Sequence, residues 1–194
     1  MMAGGHLRIF GFAGSLRKGS YNRMLLDAAA ELLPEGASLE NFDLSDIPVF
    51  NQDLEGALPE PVKRFKAGIK AADAILIVTP EYNYSVPGVL KNAIDWASRP
   101  HGDNSFEKKP VAIMSASPGM LGGSRAQYHL RQSFVFLNAY PMQRPEIFVA
   151  FADTKFDGEG RLTDQDTRDH VKTFLQSLAK WSDAIGRAGA ANLI

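Results

Sequence analysis

Two rhythms of apolar residues alternate along this chain. Short unbroken runs occur at Ile9-Phe10, Ala74-Ile-Leu-Ile-Val78 and Val111-Ala-Ile-Met114. They lack the in-out alternation of a half-exposed strand, so they read as strands covered on both faces of a parallel sheet. Between them the apolar positions fall at helical spacing: Met24, Leu25, Ala28, Ala29 and Leu32; Val62, Phe65, Ile69 and Ala72; Val89, Leu90, Ala93, Ile94 and Trp96. The longest such face is Val171, Phe174, Leu175, Leu178, Trp181 and Ile185. The pattern predicts strands over 7–12, 38–43, 74–79, 110–115 and 146–151. It predicts helices over 21–33, 59–72, 87–97 and 124–137, and a last helix capped by Thr163 with a frayed tail over 186–194. Pro34 and Gly36 stop the first helix, and prolines 59 and 87 open two others. Strands alternating with helices make an α/β three-layer sandwich, expected to be one domain with its core over about 7–185.

In an open parallel sheet, ligands gather outside the carboxyl ends of the strands. Three loops reach that rim: residues 14–22, 80–86 and 117–123. The first reads Gly14-Ser15-Leu-Arg17-Lys-Gly-Ser20-Tyr21-Asn22. It delivers hydroxyls, a guanidinium and an amide to a helix start, where unpaired N–H groups and the helix dipole favour an anion. It lacks the Lys before Ser20 that a triphosphate loop needs, and its glycines do not make the dinucleotide fingerprint. That leaves either one tightly held monophosphate or a plain capping turn with a solvated Arg17. The second loop, Pro80-Glu81-Tyr82-Asn83-Tyr84-Ser85, suits the face and edge of a flat heterocycle, or is a surface turn whose tyrosines cover the helix below. The third, Ser117-Pro-Gly119-Met-Leu-Gly122-Gly123, permits close backbone approach, or is a simple strand-to-helix turn.

Composition narrows the classes. With 21 basic and 22 acidic residues the net charge is −1, which offers no footprint for nucleic acid or an anionic membrane. There is no cysteine, which removes disulfides, thiolate catalysis and cysteine metal sites. No basic-then-apolar leader is visible at Met1–His6, and no apolar run approaches a membrane span. A cytoplasmic protein is expected. The four histidines form no metal-binding pair, and Asp43, Asp46 and Asp53 read as a solvated acidic loop, so no metal is expected.

Gly14-Ser-Leu-Arg-x-x-Ser-x-Asn22, the stretch from Thr79-Pro-Glu-Tyr-Asn-Tyr-Ser-Val-Pro-Gly to Lys91-Asn-Ala-Ile-Asp-Trp96, and Ser117-Pro-Gly-x-x-Gly-Gly123 together resemble the NADPH-dependent FMN reductase family. Within it the chain is most similar to the bacterial chromate and quinone reductases. The resemblance spans about residues 7–185, and the middle motif is its specific part. It implies a flavodoxin-like sheet of five parallel strands in the order 2-1-3-4-5. It implies that Ser15, Arg17, Ser20, Tyr21 and Asn22 hold the FMN phosphate. It implies that Pro80, Glu81, Tyr82, Asn83 and Tyr84 line the isoalloxazine, with Ser117, Gly119, Gly122 and Gly123 on its other side.

The activity so implied is a two-step exchange: NADPH or NADH passes a hydride to the flavin, leaves, and is replaced by a quinone or, less specifically, a chromate, azo or nitro acceptor. The flavin carries the chemistry, so no catalytic side chain is expected. Backbone N–H groups of residues 81–84 would stabilise the reduced flavin, and Tyr84 and Arg99 would frame the acceptor side. The family also implies a homodimer or homotetramer. The apolar face from Val89 to Trp96, with Tyr128, Phe134 and Phe136, would form its interface, rimmed by Arg125, His129, Arg131 and Glu146. Two other classes compete. A flavodoxin-like carrier would bind FMN without turning over NAD(P)H, but such carriers are strongly acidic and this chain is not. A nucleotide-binding regulator would purify colourless.

Overall fold

The computed structural model describes residues 6–192; Met1–Gly5 and the last two residues of the expected tail lie outside it. The strands are β1 (Leu7–Ala13), β2 (Ala37–Phe42), β3 (Ala74–Val78), β4 (Pro110–Ala116), β5 (Tyr140–Pro141) and β6 (Ile147–Val149). The helices are α1 (Tyr21–Glu31), α2 (Glu60–Ala71), α3 (Gly88–Ala97), α4 (Ser124–Phe136) and α5 (Gln165–Ala190). The sheet is parallel throughout, in the order β2-β1-β3-β4-β5, with β6 also on β4.

The fifth position of the sheet is therefore filled by two short pieces. β5 pairs with Pro110 and Val111 at the start of β4, and β6 pairs with Met114 to Ala116 at its end. The expected strand at 146–151 is trimmed to its centre, because Phe151 turns to φ 50° and breaks the extended backbone. The cap of α5 is Asp164, not Thr163: its carboxylate accepts from the Thr167 N–H at 3.0 Å. That helix also continues past Ile185 to Ala190, so most of the expected tail is helical.

Alternation along each central strand divides the core into two. Leu7, Ile9, Leu76, Val78, Ala112 and Met114 face α1 and α5. Phe10, Phe12, Ile75, Ile77, Val111 and Ile113 face α2, α3 and α4. The second layer holds a knot of rings. Phe65 of α2 lies 5.0 Å from Phe12 and 5.2 Å from Phe42, centroid to centroid. Burying one such ring contributes about 1.5–3 kcal/mol. Leu90, Ala93, Ile94 and Trp96 are buried in this same layer, so the α3 face expected to meet another subunit packs on the chain's own sheet. Asn92 and Trp96 also tie down the Pro-bearing loop before α2, each donating to the Pro48 carbonyl at 2.8 Å. Among the described residues, no helix is long and apolar enough to cross a membrane.

Candidate active site

Parallel pairing brings the carboxyl ends of β1, β3 and β4 to one rim. The Gly14 N–H donates to Val78, Thr79 to Met114, and Ser117 to Val149, at 2.8, 2.9 and 3.0 Å. The three loops thus leave the sheet side by side. Between them opens a cleft of ≈ 200 Å³ lined by Ser15, Arg17, Ser20, Tyr21, Asn22, Pro80, Glu81, Tyr82, Ser117, Ala116 and Pro118. Nine of these are the residues the sequence assigns to the site; Pro118 belongs to the third motif without having been assigned a role, and Ala116, just before that motif, carried no signal. A larger hollow of ≈ 660 Å³ lies at the opposite end of the sheet. Several of its charged groups are committed within the protein: Asp73 pairs with Arg8, Lys109 Nζ donates to the Lys70 and Ala72 carbonyls, and Asp183 pairs with Arg187.

The first loop has the character of an anion site. Ser20 occupies the N-cap of α1, yet its side chain makes no capping bond. The N–H groups of the first turn are therefore left for a ligand. Ser15 and Ser20 are both buried. The exposed Arg17 guanidinium lies over the Tyr21 ring, 5.6 Å from its centroid. Asn22 has a different occupation. Its Nδ2 donates to the Ala116 carbonyl and its Oδ1 accepts from the Ala116 N–H, both at 2.9 Å. Its amide thus fastens the start of α1 to the end of β4.

The second loop is a tight hairpin. Tyr82 and Ser85 exchange two backbone hydrogen bonds, at 3.1 and 2.9 Å. Asn83 (φ 51°) and Tyr84 (φ 66°) between them are both left-handed, the geometry of a type I′ turn. For a tyrosine that conformation costs about 1–2 kcal/mol. The Asn83 and Tyr84 N–H groups donate to nothing among the described residues. Tyr82 and Tyr84 are exposed, with their rings at the cleft mouth and on the hairpin tip.

Glu81 turns away from a ligand role. Its carboxylate accepts from the backbone N–H groups of Arg125 and Ala126, at 3.0 and 3.3 Å, and pairs with the Arg125 guanidinium. It therefore caps α4 from a distant part of the chain. His129 Nδ1 lies 3.0 Å from Ser85 Oγ. Arg125 and His129, expected on an oligomer rim, are thus used inside the chain. So is Arg131, whose guanidinium donates to the Met142 carbonyl at 2.9 Å.

In the third loop, Gly122 (φ 56°) and Gly123 (φ 85°) lead into α4. They do not line the cleft. A Cβ on Gly122 would sit 2.7 Å from the Phe148 carbonyl carbon, and one on Gly123 2.8 Å from Ser115 Cβ. Beneath them Gln127 donates to Ser115 Oγ (2.8 Å), which in turn donates to the Gly122 carbonyl (2.6 Å). Gly119 is not among the lining residues either, and its N–H donates to Ser117 Oγ at 3.1 Å.

Arg99 does not join the site. The helix α3 leaves the rim at Gly88 and runs back along the sheet for 10 residues, about 15 Å. Arg99 therefore emerges at the far end, where its carbonyl accepts from Lys66 Nζ. Its side chain lines a groove of ≈ 480 Å³ between α3 and α4. Within one chain it cannot frame an acceptor at the rim. Among the described residues no group of three potential metal ligands occurs.

Known proteins share this sequence and shape. Residues 7–154 match the model of the NADPH-dependent FMN reductase family. An NAD(P)H-dependent FMN reductase of Pseudomonas aeruginosa is 49% identical over 90% of this chain and 95% of its own length. A quinone reductase of Pseudomonas putida is 47% identical, covering 87% of this chain and 90% of that one. The flavoenzyme NAD(P)H:(acceptor) oxidoreductase FerB of Paracoccus denitrificans superposes with a TM-score of 0.85 at 35% identity, over 92% of this chain and 98% of its own.

Proposed function

Because the chain belongs to the NADPH-dependent FMN reductase family, we propose that it is an NAD(P)H-dependent quinone reductase working through FMN held in the rim cleft. The observation that carries the reading is the uncapped first turn of α1, opening into a cleft whose other walls are the aromatic hairpin and Ser117. A terminal phosphate fits that end. The free N–H groups, the buried Ser15 and Ser20 hydroxyls and the Arg17 guanidinium are all donors, which is the chemistry a dianion requires. The flat ring system would lie against Pro80, Tyr82 and the Asn83–Tyr84 turn, with Ser117 and Gly119 opposite. Gly122, Gly123 and Asn22 serve by fixing the loops, and Glu81 by anchoring the hairpin.

FMN held there would supply the redox chemistry, the capacity to accept a hydride from NADPH or NADH and to pass two electrons on to an acceptor. The protein's part is to hold, orient and stabilise. The unpaired N–H groups of Asn83 and Tyr84 present donors to negative charge developing on the ring. The exposed Tyr82 and Tyr84 leave one side of the mouth open, so the nicotinamide and then the quinone use the same entrance in turn. That openness also suits chromate, azo and nitro acceptors as less specific oxidants. The nicotinamide supply such an enzyme draws on is that of the cytoplasm.

A homodimer or homotetramer belongs to this reading. Val135 and Phe136 of α4 are 83% and 88% exposed, and Phe136 lines the groove that also holds Arg99. Light scattering on the eluting protein tests it, and a monomer alone overturns it. For the activity, purified protein should be yellow, bleach on mixing with NADPH or NADH, and recover its colour when a quinone is added. Colour that does not bleach with either nicotinamide overturns the reductase in favour of an electron carrier. Colourless protein that takes up no added FMN overturns the flavin.

A further inference from the structure

The face of α4 turned to the rim grips the second loop at three places. Glu81, at the loop's start, is held by the N–H groups of Arg125 and Ala126 and by the Arg125 side chain. Tyr84, at its tip, lies under the Arg125 guanidinium, whose central carbon is 3.5 Å from the ring centroid. Ser85, at its end, meets His129. Arg125 is therefore clamped between a carboxylate that lines the cleft and an aromatic ring in a left-handed backbone conformation.

We propose that Arg125 is a positioning residue for the flavin: it holds the Asn83–Tyr84 turn in its strained form and offsets the charge of Glu81 beside the cleft. The inference rests on the flavin reading above. Two physical consequences follow. The stack on Tyr84 opposes relaxation of two left-handed residues, and so keeps their free N–H groups aimed in one direction. The Glu81 side chain is only 8% exposed. An unpaired carboxylate so placed would repel an electron-rich reduced ring at short range in a poorly screened setting. The guanidinium and the N-terminus of α4 together offset that charge. Neither effect requires Arg125 to touch the cofactor.

The test uses the full chain, stripped of flavin and titrated with FMN by fluorescence, followed by the midpoint potential of the reloaded protein. Arg125→Ala should weaken FMN binding about two- to fivefold, the worth of one solvent-exposed cation–ring contact. It should also lower the flavin potential, since a cation has been removed from beside a buried carboxylate. Glu81→Gln keeps an oxygen to accept from the α4 N–H groups but removes the negative charge, so it should raise the potential. Shifts of opposite sign are not what a general loosening of the fold would produce. Folded Arg125→Ala with wild-type affinity and potential overturns the proposal. Should that variant not fold, Glu81→Gln decides alone, and an unchanged potential overturns it. Wild-type protein that takes up no FMN overturns the flavin reading itself, and this inference with it.

Discussion

Asn22 and Ala116 are joined by both edges of one amide: Nδ2 donates to the Ala116 carbonyl and Oδ1 accepts from its N–H, each at 2.9 Å. The two residues are 94 positions apart, and Asn22 is 3% exposed. The pair mimics one more rung of sheet beyond β4 and fixes the start of α1 against the third loop. Asn22→Asp retains the shape but turns the donor into a second acceptor facing the Ala116 carbonyl. We expect a loss of about 1–3 kcal/mol in urea denaturation, together with weaker FMN binding. Wild-type stability in this variant would show that the amide pair does not hold the loops together.

Arg17 is set up as an anchor. It is exposed, lies over Tyr21 and has no acidic partner among the described residues. Its removal costs one charge-assisted contact to phosphate, so Arg17→Ala should raise the FMN dissociation constant roughly 10- to 100-fold. In protein kept loaded by excess FMN, stopped-flow reduction by NADPH should slow by no more than about threefold. A large loss of the reduction rate with unchanged affinity would make Arg17 part of the chemistry instead.

The central strands were legible because Ala74–Val78 and Pro110–Ala116 are buried at every position, and a run with no polar face has few other uses, whereas the order of the sheet came only from the resemblance of the loop motifs to a known family. The rim loops were legible as a group because each follows the carboxyl end of a strand in a parallel sheet, and those ends share one rim. The partners inside the loops were not. Glu81 reads as a polar ligand until α4 is docked across it, and nothing local in either segment marks a contact spanning 44 residues. Arg99 follows the motif helix closely in sequence, but direction along that helix carries it to the opposite end of the sheet. The strand expected at 146–151 is present at its centre, Ile147–Val149, but the two-residue strand Tyr140–Pro141 beside it leaves no periodic trace. In all of these the deciding fact is tertiary.

The N-terminus of α5 should report on acid. The hydrogen bonds from Lys155 Nζ and from Thr167 hold the Asp164 carboxyl down to about 2 from an ordinary 3.8. The unfolded chain therefore binds this proton more readily than the folded one. The stability Asp164 contributes is complete above its ordinary value and is lost as pH falls through that range towards about 2. Asp164→Asn keeps an oxygen for the cap but cannot ionise. Its unfolding midpoint in urea should lie below wild type near neutrality, and the gap should close between about pH 4 and about pH 2. A gap that persists undiminished in acid would assign the effect to shape and not to charge.

Two glycines of the third loop should separate stability from binding. Gly122 has φ 56° and no room, since an added Cβ would lie 2.7 Å from the Phe148 carbonyl carbon. Gly119 has an ordinary φ, and an added Cβ would meet only Ser117 Oγ at 3.5 Å, a normal contact distance. Gly122→Ala should cost about 1–3 kcal/mol of stability, because strain and overlap both oppose it. Gly119→Ala should leave stability within about 0.5 kcal/mol. If Gly119 faces the cofactor as proposed, its variant should nevertheless bind FMN more weakly, because the methyl group occupies space on the ligand's side. Thermal melts of the flavin-free proteins and FMN titrations of the same samples measure the two quantities independently. Gly119→Ala with wild-type affinity would remove Gly119 from the site, while leaving Gly122 as the residue that sets the loop's path.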